Sequence, residues 1–148
     1  MKSFKIPESV LVLIHTPELD VLLLERADHA GFWQSVTGSR DTLDEPLVDT
    51  AARELLEETG IVASALDLRD WKLINQYEIY PAWRQRYAPG VSRNTEHVFS
   101  LCVARGTPVR LSPREHLAYQ WLPWLAAADC CYSPSNAEAI LLLPQFVQ

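Results

Sequence analysis

Residues 9–15 and 21–25 are almost continuously apolar. That pattern fits strands covered on both faces better than a half-solvated sheet. Thr16-Pro17-Glu18-Leu19-Asp20 between them reads as a hairpin connection and Asp28-His29-Ala30-Gly31 as a loop, and residues 32–37 lead on from it with a β-like run at 34–37. From Pro46 to Gly60 the period changes to that of a helix. Val48, Ala52, Leu55, Leu56 and Thr59 fall on one side, and Glu54, Glu57 and Glu58 on the other. Pro46 suits the first turn, with Asp44 or Glu45 near the N-cap, and Gly60 suits the position that ends the helix. Farther along, residues 71–80 and 96–104 predict long strands and 117–122 a short one. Between the first two lies a polar, basic loop at 83–94, and residues 112–116 form the loop before the third. Ser133-Pro134-Ser135 opens a final amphipathic helix carrying Ala139, Ile140, Leu143 and Phe146. Strands flanking one central helix, with a second helix at the end, predict a mixed sheet between helices.

At 148 residues, with 48% apolar and 22% charged positions, the chain suits one globular domain. A formal net charge of −6 argues against a broad nucleic-acid footprint, while leaving room for a local basic cluster acting with a divalent cation. The apolar run at 10–14 is too short for a signal peptide or a membrane span. Cys102, Cys130 and Cys131 show no C-x-x-C spacing and read as reduced thiols, so a cytoplasmic protein is expected.

The acidic face changes the picture most. Glu54, Glu57 and Glu58 stand at i, i+3 and i+4, where like charges repel and weaken a helix. Hard oxygen ligands on one rigid face suit Mg²⁺, with Mn²⁺ as a substitute. Arg53 on the flank can fix a carboxylate's orientation. Glu54 and Glu58, one turn apart, are the firmest expected ligands, and Glu57 is a further ligand or a general base.

The segment from Gly38 to Ile61 resembles the Nudix box, G-x5-E-x7-R-E-U-x-E-E-x-G-U, in which U is a bulky aliphatic residue. Every fixed position from Glu45 to Ile61 matches; six residues rather than five separate Gly38 from Glu45. The resemblance implies an α/β/α sandwich with a mixed sheet and a metal-dependent attack on an internal phosphorus. It implies catalytic roles for Arg53, Glu54 and Glu57, and metal ligation by Glu54, Glu57, Glu58 and, from the loop before the short strand, Glu115. Residues 32–38, 86–97 and 115–122 are similar to the bacterial branch of the family that cleaves dihydroneopterin triphosphate to a monophosphate and pyrophosphate, an early step of folate synthesis.

For such a substrate, Lys5, Arg26 and one of Arg84, Arg86 or Arg93 would hold the triphosphate. Tyr77, Glu78, Tyr80 and Trp33 are candidates for the ring. Thr37 and Ser133 could hydrogen-bond phosphate or ring. A partner is expected only in the form of a small-molecule triphosphate, with neither nucleic acid nor membrane. Two other readings stand beside this one. A house-cleaning enzyme would cleave nucleoside triphosphates, and a non-catalytic binding module would be expected to have lost acids of the box.

Overall fold

The computed structural model describes residues 3–147. Seven strands and three α-helices follow in the order β1 (Glu8–His15), β2 (Asp20–Arg26), β3 (Trp33–Gln34), β4 (Val36–Ser39), α1 (Leu47–Thr59), β5 (Arg69–Glu78), β6 (Arg93–Cys102), β7 (His116–Pro123), α2 (Trp124–Cys130) and α3 (Pro134–Phe146). A 3₁₀ helix, Pro81–Arg86, links β5 to β6.

The β1–β2 hairpin is paired only at its base, His15 to Val21, and then splays. On one arm, β1 runs parallel to β6 along its whole length and antiparallel to β4, and β6 pairs in turn with β5. On the other arm, β2 pairs antiparallel with β3 and β7. The sheet is therefore mixed and opens at its middle.

Both faces of β1 are buried, as its continuous apolar run predicts. Val10, Val12 and Ile14 pack with Ala51 and Leu55 of α1, together with Phe99. The alternate residues Leu11 and Leu13 pack with Ala127, Ile140 and Leu143 of α2 and α3. Trp71 stacks on Phe146 with ring centroids 4.1 Å apart. The α/β/α arrangement expected from the sequence is the observed one.

Several local expectations need correction. Leu56, placed on the buried side, is 49% exposed, and Glu58, placed on the outer face, is 2% exposed. The inward stripe of α1 is Ala51, Leu55 and Glu58, spaced i, i+4, i+7, so a carboxylate occupies a core-facing position. Pro46 itself stands at the N-cap, without a side-chain cap. Asp44 accepts the Thr42 hydroxyl at 2.7 Å, and Glu45 turns instead to Arg53. Gly60 ends α1 at φ 75°, a conformation that other residues adopt at a cost. The segment 32–37 divides into β3 and β4, part of the basic loop is 3₁₀ helix, and α2 was not foreseen at all.

Candidate active site

The splayed hairpin leaves a cleft of about 860 Å³. It is lined by Ser9 and Leu11 of β1, by Gln34, Thr37 and Gly38 beside the opening, and by Glu54 and Glu58 of α1.

Arg53 organises the acids on α1. Its Nε and Nη2 donate to Glu45 Oε2 and Oε1, both at 3.0 Å, and Nη2 also donates to the carbonyl of Ser39 at 3.0 Å. Nη1 donates to Glu54 Oε1 at 2.8 Å. The fork holding Glu45 is the strong bidentate form of this pairing. It drives the Glu45 carboxyl down to about 2. The extra residue in the preceding loop has therefore not displaced Glu45 from Arg53. Gly38 is explained just as directly: a Cβ there would lie 2.0 Å from Glu54 Cδ, so only glycine lets that carboxyl reach its place.

Glu58 has the opposite environment. Burial, and then the neighbouring Glu54 carboxyl, push its pKa well above the ordinary 4.5, while the Thr37 backbone opposes the rise. Its Oε1 is buried without a hydrogen-bond partner. His116 Nε2 lies 3.6 Å from that oxygen. It cannot balance the charge, because burial and then Arg26 lower its pKa to about 4, and its own Nδ1 is likewise unpartnered. Burial raises the Glu54 carboxyl as well, so neither acid of the pair gives up its proton as readily as a free carboxylate. An orphaned buried carboxylate oxygen beside a second, Arg-oriented carboxylate fits a divalent cation. Among the described residues, no three acid, histidine or cysteine side chains form a ready metal cage. Glu57 is half exposed, with its carboxylate 3.6 Å from Arg53 Nη1, and Glu115 lines the cleft but is exposed.

Basic groups border the acids. Lys5 lines the cleft, its ammonium 5.8 Å from the centre of the Tyr87 ring. Arg26 donates twice to Asp28 at 2.7 Å and once to Gln34 Oε1 at 3.3 Å, and its guanidinium lies 4.3 Å from the Trp83 ring centre. Arg86 reaches the same Asp28 at 3.1 Å and also lines the cleft. Between the two arginines the Asp28 carboxyl falls to about 2, Arg26 being the first cause. Arg84 and Arg93 are absent from the lining, as is Trp33.

The remaining positions divide by accessibility. Thr37 borders the cleft, but its hydroxyl donates to the Val10 carbonyl at 3.0 Å. Glu78 stands exposed at the rim, 3.7 Å from Arg84. Tyr80 meets Trp83 edge-on at 5.3 Å and lies 5.9 Å from Tyr132, forming an aromatic corner. Ser133 precedes α3 with its hydroxyl 3.1 Å from that of Ser135. The Tyr77 hydroxyl accepts from Asn94 Nδ2 at 3.0 Å, and Asn94 also donates to Ser9 Oγ at 2.7 Å.

Sequence reasoning missed the polar wall behind Tyr77. Asn94 and Glu96 of β6, Asn75 of β5, and Ser135 and Asn136 of α3 all line the cleft. Asn136 locks the opening by accepting from Ser35 N at 2.8 Å and donating to Ser35 Oγ at 3.0 Å. The available signal was parity: Asn94 and Glu96 share a strand face with buried Val98.

A mixed sheet splayed at its first hairpin, with paired acids and an arginine on the helix beside the opening, is the architecture of the Nudix family. The chain belongs to that family, whose NUDIX domain model matches residues 5–143. It is 44% identical to the dihydroneopterin triphosphate diphosphatase of Escherichia coli K12, over 94% of this chain and 93% of that one. It is 39% identical to the protein of the same name from Haemophilus influenzae, covering 95% of this chain and 89% of that one. The solved structure of the E. coli dihydroneopterin triphosphate pyrophosphohydrolase superposes with a TM-score of 0.87 at 42% identity, over 99% and 98% of the two chains. Nudix hydrolases generally use divalent metal ions. No helix among the described residues is long and apolar enough to cross a membrane.

Proposed function

We propose that this chain is a Mg²⁺-dependent pyrophosphohydrolase that converts dihydroneopterin triphosphate to dihydroneopterin monophosphate and pyrophosphate. The observation that carries the reading is one continuous cleft with buried Glu58, half-buried Glu54 and Lys5, Arg26 and Arg86 along it, running on to an aromatic corner and a polar wall. The names of the similar proteins from E. coli and H. influenzae support the substrate. All four charged residues at the heart of the box, Arg53, Glu54, Glu57 and Glu58, are present, which disfavours a non-catalytic module.

Glu54 and Glu58 would hold the metal, with Glu57 and Glu115 able to join them. When bound, Mg²⁺ supplies a positive charge that offsets the phosphate oxygens and lowers the pKa of water. The protein's own part is positioning. Arg53 keeps Glu54 aimed past Gly38, and Lys5 with the Asp28-tethered arginines aligns the triphosphate. Water oxygen bonds to an internal phosphorus as the anhydride bond to the departing pyrophosphate breaks. Glu57 and Glu115, the exposed acids, are those left to receive the water's proton. We assign the reaction to the cytoplasm, where three unpaired thiols remain reduced.

Product analysis with Mg²⁺ on pterin and nucleoside triphosphates tests this. Pyrophosphate is expected, with kcat/KM for dihydroneopterin triphosphate at least about tenfold that for deoxyadenosine triphosphate, or about 1.4 kcal/mol. Orthophosphate as first product would overturn the reaction. Equal or better turnover of any nucleoside triphosphate would move the protein to nucleotide house-cleaning.

A further inference from the structure

Phosphate-binding groups treat every triphosphate alike, so ring choice must come from groups elsewhere in the cleft. One buried acid there is unused by the chemistry above. Glu96, in the middle of β6, lines the cleft yet is only 4% exposed. It forms no salt bridge with any cation among the described residues; the Ser135 hydroxyl donates to its Oε1 at a long 3.3 Å. Burial pushes its carboxyl up to about 7, against help from Ser135 and Asn75. Two residues earlier on the same face, Asn94 Oδ1 is buried with no partner. Register fixes the surroundings: Tyr77 lies opposite Asn94, Asn75 opposite Glu96, and Ser9 on the other flank. The wall is thus rich in acceptors and short of donors, an arrangement that costs free energy until a ligand supplies N–H groups.

We propose that Glu96 is the specificity-determining residue of this cleft, its carboxylate accepting two parallel hydrogen bonds from the N3–H and 2-amino group of a pterin ring. This rests on the proposed substrate. Those two donors lie side by side as the N–H groups of a guanidinium do, and a carboxylate matches them with both oxygens. Guanine carries the same two-donor edge in N1–H and its 2-amino group. Adenine presents an acceptor beside a donor. Discrimination is therefore expected to follow the donor pattern of the ring rather than its size, since a mismatched edge leaves buried polar groups unpaired.

The experiment measures kcat and KM for dihydroneopterin triphosphate, dGTP and dATP with the unmodified protein and with Glu96→Gln. The unmodified protein is expected to rank them in that order. A glutamine offers one acceptor and one donor, so the variant should lose about tenfold or more on the pterin substrate, mainly in KM, and narrow or reverse the preference of dGTP over dATP. An unchanged pterin-to-dATP ratio in the variant would overturn the role of Glu96 and leave the proposed substrate standing. Poor pterin turnover together with a dGTP preference that Glu96→Gln reverses would uphold the edge-reading and overturn the substrate. Should the variant not fold, fluorescence titration of the unmodified protein with neopterin decides. Competition by guanosine but not adenosine supports the role, and equal competition overturns it.

Discussion

Glu45 and Glu58 flank the same arginine-centred segment and have been given opposite physics. Glu45 is gripped by both arms of Arg53 and ionises more readily than a free carboxylate. Glu58 is sealed against the core, lacks a partner for Oε1, and ionises with difficulty. The first is satisfied by the protein itself. The second has no partner for that oxygen among the described residues. The contrast separates the residue that builds the site from the residue that serves it, a distinction the motif alone does not make.

The largest expected effect breaks the serving side. Glu58→Gln should cut turnover by about three orders of magnitude, about 4 kcal/mol, while raising the melting temperature in chelator. The rise is read by calorimetry at about 2–4 °C for each kcal/mol gained. Its sign with pH follows from linkage. The folded protein keeps the Glu58 proton longer than the unfolded chain does, so stability falls as pH climbs from the ordinary 4.5 toward the raised value. The stability gap between variant and unmodified protein should therefore widen with rising pH; a gap independent of pH would refute the assignment.

Gly38→Ala comes next. The added methyl would displace the Glu54 carboxyl, the far end of a flexible side chain, so the fold should survive while metal affinity and rate fall about a hundredfold. Calorimetric titration with Mn²⁺ checks it, and normal affinity would remove Glu54 from the ligand set.

Glu45→Gln is the mildest, costing about tenfold in activity or metal affinity. Unlike Glu58→Gln it should lower stability near neutrality. Because the folded pKa is depressed, the contribution of Glu45 is complete above about 4.5 and is lost as pH falls toward about 2, so the deficit of the variant should close over that window. A variant as stable as the unmodified protein at neutrality would show that Arg53 does not need this partner.

The same contrast marks what was legible in the sequence. The helix bearing the acids was, because a fixed motif with a terminal glycine specifies it. The doubly buried β1 was, because its apolar run has no polar interruption. Glu58 was seen as a ligand but placed on the wrong face, since one carboxylate on the inward stripe looks like part of an acidic surface. Glu96 and Asn94 escaped for a related reason: polar residues in a strand read as solvent-facing until a neighbouring helix covers them. The short α2, with Pro123 at its N-cap and no side-chain cap, carried no start signal. Tyr77, expected as a ring partner, lines the cleft; its hydroxyl tie to Asn94 depends on a strand pairing that its own sequence does not reveal.

The splayed hairpin also governs how the chain can fold. Its two strands emerge from the ribosome together yet bond to each other only at their base. β1 finds its full-length neighbour only when Thr95 to Cys102 arrive, and β2 only when residues 116–123 do. Long-range pairing of this kind slows folding, because distant segments must be brought together before any contact repays the lost chain freedom. Until then two apolar strands have unpaired edges available to other nascent chains. The geometry that opens a cleft for substrate thus also makes the early chain vulnerable to aggregation, and truncation before β7 would leave β2 permanently without that partner.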